Sequence, residues 1–275
     1  MAVLDGKVAI VTGSARGIGR ATAELLCEQG ARVLINDLDG DAAQQAASEI
    51  AGETTVYAGD LTRPGAPDEL VKAAIDAWGK IDIIVNNAGY TIDAPIHKMS
   101  DDAFQRMLDI HTIVPFRVIR AAAPHLREPA KQEKERGEEV FRKIVNVSSI
   151  SGTMGNAGQA NYAAGKSGVV GLTKTLAKEW GQFKINVNAV AFGWIETRLT
   201  ASKVDDNQME IGGEKVQLGI PDQMRGMASM LIPLGRTGTP EEAAGGVFFL
   251  CSPWSNFVHG QVLNITGGQF TGMTT

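Results

Sequence analysis

Tyr162 and Lys166 stand four residues apart in Tyr-Ala-Ala-Gly-Lys, so a helix through them puts a phenol and an ammonium on one face. A phenol with its ordinary pKa of about 10 is a poor proton donor or acceptor near neutrality. A neighbouring cation favours the phenolate, and bringing the pKa to ~7 requires about 4 kcal/mol of differential stabilisation. Ser149, upstream in Asn146-Val147-Ser148-Ser149, can hold a substrate oxygen beside that phenol. The three residues together suit general acid–base chemistry at a carbon–oxygen bond.

A second group suits phosphate binding. Thr12-Gly13-Ser14-Ala15-Arg16-Gly17-Ile18-Gly19 follows an apolar run and opens a helical pattern. Gly13 permits the turn, Gly17 lets backbone amides approach a pyrophosphate, and Gly19 lets the helix pack closely on the sheet. The spacing is G-x-x-x-G-x-G, which departs from the G-x-G-x-x-G fingerprint. Asn36-Asp37 closes the second apolar run, where a carboxylate can accept from adenosine ribose hydroxyls and repel a 2′-phosphate. Arg16 is a counter-signal, since a guanidinium there suits that phosphate. Asp37 outweighs it in this reading, which gives NAD(H) as the preferred cofactor with NADP(H) possible. A helix N-cap or turn acid is the other role open to Asp37. Asp60-Leu61 stands where an acid can meet the adenine amino group.

The elements that must position these groups are legible from periodicity. Apolar, β-branched runs occur at Val8–Val11, Arg32–Ile35, Thr54–Tyr57, Ile81–Val85, Ile144–Val147, Asn186–Val190 and Val262–Ile265. Their apolar character along the whole length is that of strands covered on both faces. Helical patterns separate them: Gly19–Gln29, Ala42–Ile50, Pro67–Trp78, Asp101–Leu126, Asn161–Trp180 and Pro240–Leu250. The alternation predicts an α/β fold, a single doubly wound parallel sheet of about seven strands (Rossmann type), as one domain over residues 1–275. Residues 127–143, dense in mixed charge, read as a solvated extension between helix and strand. Residues 198–237 are rich in Gly and Met with weak periodicity, and 198–232 read as a substrate lid after the sixth strand. Gly212-Gly213, Gly219 and Gly226 would serve as hinges, and Met209, Met224, Met227 and Met230 as adaptable apolar surface.

Composition excludes other classes. A net charge of −5 with Lys and Arg scattered among acids argues against a nucleic-acid or anionic-membrane surface. Cys27 and Cys251 lie in apolar helical contexts and read as buried free thiols; His97, His111, His125 and His259 show no ligand spacing, so no metal is expected. The first strand leaves no room for a signal peptide before it, and no apolar run is long enough to span a bilayer, so a cytoplasmic protein is expected.

The ordered motifs Thr12-Gly13…Gly17-Ile18-Gly19, Asn86-Asn87-Ala88-Gly89, Ser149, Tyr162…Lys166 and Ile195-Glu196-Thr197 resemble the short-chain dehydrogenase/reductase family over nearly the whole length. The stretch Gly152–Tyr162 is similar to bacterial 3-oxoacyl-acyl-carrier-protein reductases. The resemblance implies an NAD(P)-dependent enzyme in which Ser149 orients the carbonyl, Tyr162 is the acid/base and Lys166 binds the nicotinamide ribose. It implies further that Asn87, Ala88 and Gly89 support the sheet and the adenosine ribose, and that Ile195 and Thr197 hold the carboxamide of the ring. Two departures stand out. His111 occupies the position where the family has an asparagine that holds a relay water; a modified relay and a hydrogen-bonded bystander are both open. Phe192-Gly193-Trp194 replaces the usual Pro-Gly, so Phe192 and Trp194 add aromatic bulk to the pocket or to the core.

The expected substrate is a small-molecule ketone or secondary alcohol, with a 3-oxoacyl thioester suggested by the local similarity. A steroid, polyol or cyclic alcohol is the alternative, because one fold hosts many substrates. A non-catalytic dinucleotide sensor is a further alternative, opposed by the intact Ser149, Tyr162 and Lys166. Small residues in the helix from Asn161 (Ala163, Ala164, Gly165, Ser167, Gly168, Gly171) let a neighbouring helix approach, with packing on the sheet the other role open to some of them. With the helix around Phe104–Leu126 they point to a homotetramer or homodimer.

Overall fold

The computed structural model describes residues 2–202, 208–211, 214–220 and 222–269. Seven strands form one parallel sheet: β1 (Val8–Thr12), β2 (Arg32–Asp37), β3 (Thr54–Ala58), β4 (Ile83–Asn86), β5 (Arg142–Ser149), β6 (Ile185–Phe192) and a last strand, Val262–Ile265. The strand order runs β3-β2-β1-β4-β5-β6 and then the last strand, so the winding reverses between β1 and β4. Dinucleotides bind outside the carboxyl ends of the strands at such a switch point.

Alternate residues of each strand feed two separate cores, as a sheet covered on both faces requires. Ala9, Val11, Ile83 and Val85 pack under α1 (Gly17–Glu28), α2 (Gly40–Glu49) and a late helix, Pro240–Cys251. Ile10, Ile84 and Ile144 pack under α3 (Ala66–Trp78), α4 (Asp101–Leu108), α5 (Val114–Glu135) and α7 (Ala160–Trp180). The short α6 (Ile150–Met154) joins β5 to the segment before α7. Cys27 and Cys251 are buried free thiols, as expected.

The structure revises three expectations. The long helix expected over Asp101–Leu126 is divided by a π turn, Asp109–Ile113, with the buried His111 at its centre. Such turns arise where a side chain must be re-aimed, often at functional sites. The charged run expected as a solvated extension is exposed over residues 134–139, but it is helical to Glu135, because Leu126 and Ala130 continue the buried face of α5 and Arg127 lies over the Trp180 and Phe183 rings. Its end is also not solvated: Arg142 is buried in β5, and its guanidinium donates to both carboxylate oxygens of Glu133 at 2.7 Å. Third, the described residues within 198–232, read as a loop, include regular elements. β7 (Gln208–Ile211) pairs antiparallel with β8 (Glu214–Gln217), and α8 (Asp222–Leu231) follows; the helix Pro240–Cys251 is therefore α9 and the last strand β9. Gly219 has the left-handed φ of +104° that suits a hinge, whereas Gly226 lies inside α8. Gly212-Gly213 and the side chains of Met224 and Met227 lie outside the described residues.

Glu133→Ala strands a buried guanidinium, so we expect a loss of about 3–5 kcal/mol of stability in urea unfolding. A change below ~1 kcal/mol, the range of exposed pairs, would contradict a buried ion pair at this position.

Candidate active site

The carboxyl ends of β1 to β6 carry the glycine loop, Asp37, Asp60, Asn87 and Ser149, and α7 and the π turn bring Tyr162, Lys166 and His111 to the same end of the sheet. At the end of β1 the chain turns through Gly13 (φ +61°), where a side chain would begin 2.7 Å from Ala88 Cα. Gly19 is tighter still: a side chain there would meet the Gly13 carbonyl oxygen at 2.1 Å. Asn87 braces this loop by donating from Nδ2 to the Thr12 and Gly13 carbonyls, both at 2.9 Å, while the amides of Asn87 and Ala88 donate to Thr12 Oγ1. α1 starts at Gly17 without a side-chain cap and without an acid in its first turn. Its leading N–H groups are thus left for an anion, which the helix dipole also favours.

These residues line a cleft of about 230 Å³. Gly13, Arg16, Gly17, Ile18, Gly19, Asp37, Asp60, Leu61, Asn87, Ala88, Gly89 and Thr197 all reach it. Ser14 does not: it is fully buried, and its hydroxyl donates to the Val11 carbonyl at 2.7 Å, so it shapes the loop from within. Asp37 sits at the end of β2, with one carboxylate oxygen accepting from Ala15 N–H at 3.1 Å. Arg16 is drawn to Asp39 at 2.8 Å, and this contact, with the Asp39 N-cap bond to Ala42, holds the Asp39 carboxyl below its usual range. Asp60 caps its own turn through Thr62 N–H and Oγ1. The uncapped helix, the close-packed glycines and the acid at β2 fit a dinucleotide.

A second cavity of about 370 Å³ adjoins the first and shares Ile18, Asn87, Gly89, Tyr90, Thr197 and Leu199 with it. Ser149, Tyr162, Lys166, His111 and Ile195 face it together, so all four expected catalytic residues meet in one place. Ser149 caps α6, accepting from Ser151 N–H at 3.2 Å, and its hydroxyl acts on the Tyr162 phenol within the same cavity. Burial pushes the Tyr162 phenol up to about 12, opposed by the Ser149 hydrogen bond. Burial pushes the Lys166 amine down to about 7. Lys166 Nζ donates to the Val147 carbonyl at 2.6 Å and lies 5.7 Å from the centre of the Tyr162 ring. Desolvation dominates both groups in this geometry; the lowering of the phenol was expected from Lys166 together with the positive ring of the oxidised nicotinamide.

His111 packs edge-on against Tyr162, with ring centroids 4.9 Å apart. Its Nε2 lies 2.8 Å from the Tyr90 carbonyl, which can accept and not donate, so Nε2 carries the proton. Nδ1 is then a bare acceptor, buried and without a partner among the described residues. Burial, and next the Lys166 charge, hold His111 well below its ordinary pKa, so it is neutral.

Phe192 belongs to the core and also reaches the cavity, while Trp194 lines the cavity wall. Gly165 and Gly168 in α7 are occupied within the chain, against the Met107 carbonyl and Thr112 respectively; Ser167 and Gly171 remain exposed. Several positioning residues escaped the sequence reading. Asn161 is fully buried and ties α7 to the Ile92 and Ala103 carbonyls, a role its place beside Tyr162 could have suggested. Thr200 closes the turn after β6 by donating to the Ile195 carbonyl. Gln159 links Ser151 to Asp93 at the cavity rim.

The fold, cleft and Ser-Tyr-Lys group define a nicotinamide-dependent oxidoreductase that interconverts a ketone and a secondary alcohol. The chain belongs to the short-chain dehydrogenase/reductase family; the family model described as Enoyl-(Acyl carrier protein) reductase matches residues 13–269. It is 38% identical to the 3-oxoacyl-acyl-carrier-protein reductase of Vibrio cholerae, covering 97% of this chain and 98% of the relative. The corresponding reductase of Thermotoga maritima is also 38% identical, over 96% and 98% of the two chains. That of Synechocystis is 35% identical, over 98% and 99%. Among the described residues no helix is long and apolar enough to cross a membrane.

The neutral His111 gives stability a pH dependence of definite sign. Its folded pKa lies below the ordinary 6.5, so the unfolded chain takes up a proton that the folded chain refuses. Stability should therefore fall as pH drops below about 6.5. Melting temperatures of the protein and of His111→Asn, measured from pH 7.5 to 5, should diverge, with a shallower acid decline in the variant. Parallel declines would contradict a buried neutral imidazole.

Proposed function

We propose that the chain is an NAD(H)-preferring, cytoplasmic reductase of 3-oxoacyl thioesters. The observation that carries this is the meeting of Ser149, Tyr162 and Lys166 in a cavity continuous with the glycine-loop cleft. The thioester class rests on the relatives and on the Gly152–Tyr162 stretch. The NAD(H) preference rests on Asp37 in the cleft and on the engagement of Arg16 by Asp39.

Gly13, Gly17, Ile18 and Gly19 with the α1 amides would hold the pyrophosphate, Asp37 the adenosine ribose, Asp60-Leu61 the adenine, and Asn87-Ala88-Gly89 the floor beneath them. Ile195 and Thr197 would hold the nicotinamide carboxamide. A bound nicotinamide would supply or accept the hydride and, when oxidised, would add positive charge. Ser149 Oγ holds the ketone oxygen against Tyr162. Tyr162 Oη donates its proton to that oxygen during reduction and takes it back during oxidation. Lys166 Nζ, now on the Val147 carbonyl, would hold the nicotinamide ribose and, when charged, favours the phenolate. His111 offers Nδ1 as the acceptor for a solvent molecule that returns a proton to Lys166, the positioning role we assign to it.

Residues 198–232 act as the lid. Met209 and Leu218 lie against the dinucleotide cleft, and Gly219, Ile220 and Leu231 against the substrate cavity, so one segment covers both. The chain assembles as a homodimer or homotetramer, supported by exposed Phe116 on α5, stacked under Arg120, and by the exposed small residues of α7.

The test is a turnover panel of acetoacetyl-CoA, a steroid ketone and a cyclic ketone with each reduced cofactor. We expect acetoacetyl-CoA with NADH to give the highest kcat/KM, and Asp37→Ala to narrow the NADH preference. A kcat/KM favouring NADPH in the unmutated protein would overturn the cofactor assignment. His111→Asn should alter the pH–rate profile, and an unchanged profile would make His111 a bystander.

A further inference from the structure

Gln269 follows β9 by four residues and is 9% exposed, yet its amide oxygen is buried with no hydrogen-bond partner among the described residues. A buried amide oxygen without a partner carries a desolvation cost, which a ligand, or a turn of the amide toward one, can remove. Its location says which ligand. Gln269 lines the same cavity as Ser149 and Tyr162, and no role in cofactor or proton chemistry has been assigned to it. Ser149, Phe192 and Ile265 form one row across β5, β6 and β9. Gln269 Oε1 reaches back over the end of β6, 3.1 Å from the point where a side chain on Gly193 would begin. The carboxamide thus stands at the end of β6, the strand paired with the one that ends in Ser149.

We propose that Gln269 is a specificity-determining residue that hydrogen-bonds a second polar group of the substrate, β to the ketone held by Ser149 and Tyr162. This rests on the thioester reading above and deepens it: in a 3-oxoacyl thioester that group is the thioester carbonyl. The terminal torsion of glutamine is broad and roughly two-fold, so the amide turns its NH2 to meet a carbonyl oxygen. A glycine at 193 is what leaves room for this reach, since any side chain there would press on the amide and on Thr266.

The experiment compares acetoacetyl-CoA, ethyl acetoacetate and cyclohexanone as substrates for the unmutated protein, Gln269→Met and Gln269→Glu. Methionine keeps the volume and loses the amide; glutamate keeps the shape and loses the donor. For both variants kcat/KM on the two β-dicarbonyl compounds should fall about tenfold more than on cyclohexanone, the size of one neutral hydrogen bond. NADH affinity, read by fluorescence titration, should hold. Equal losses on all three substrates, or a loss of NADH affinity, would overturn the inference. An unmutated protein that reduces ethyl acetoacetate but not acetoacetyl-CoA would sink the thioester reading while leaving the Gln269 comparison intact. One that prefers cyclohexanone to both dicarbonyls would sink the inference itself.

Discussion

Desolvation of Tyr162 and Lys166 is the constraint on which the rest of the site depends. Burial is the main cause that drives the phenol up to about 12 and the amine down to about 7, so the phenol keeps its proton while the amine stands near its balance point at neutral pH. A phenol raised this far holds its proton until a cation is placed beside it, and a low dielectric strengthens any such charge. The neighbouring imidazole obeys the same rule: His111 is neutral because it is buried and because Lys166 stands near it. The enclosed groups thus form a set whose charges must be set by what binds, which ties proton transfer to occupation of both cavities.

Enclosing polar groups this way demands a rigid frame, and the sheet provides it through side-chain hydrogen bonds across strand ends. Asn87 joins β4 to the glycine loop, and Asn86 donates to Asn146, which donates to Thr173 in α7. α7 is fixed in turn by Asn161 at its start and by the Ser148 hydroxyl on the Lys166 carbonyl. The helix carrying Tyr162 and Lys166 is therefore referenced to the same strand ends that shape the dinucleotide cleft. Such preorganisation lets a hydride donor and a proton donor meet one carbon–oxygen bond.

Much of this frame was legible in the sequence for a simple reason. Strands buried on both faces are apolar throughout, and Tyr162 and Lys166 fall four residues apart on a helix, so periodicity alone places them. Ser149 was equally readable at the end of β5. What was hidden depended on tertiary packing. Nothing local shows that Asp109–Ile113 widens into a π turn, because its cause is His111 reaching the Tyr90 carbonyl. The helicity of residues 127–135 was masked by charge and by Pro129, and it follows from Ala130 facing the core. Ser14 sat in a phosphate-loop motif but turned inward, a choice made by Val11 and Asn36. Gln269 gave no motif at all; its significance comes from a cavity assembled by β5, β6 and β9.

The account stands on Tyr162 as the proton donor, and the most direct measurement is the turnover of Tyr162→Phe alongside its NADH affinity. General acid catalysis of this kind contributes roughly 10²–10⁴-fold, so kcat should fall by at least about that factor. The NADH dissociation constant should stay within about twofold, because the lost hydroxyl meets the reacting oxygen and little of the cofactor. That result would isolate the defect in the chemical step. A variant that keeps more than about a tenth of the activity, far from the loss expected of an acid catalyst, would contradict the mechanism at its centre.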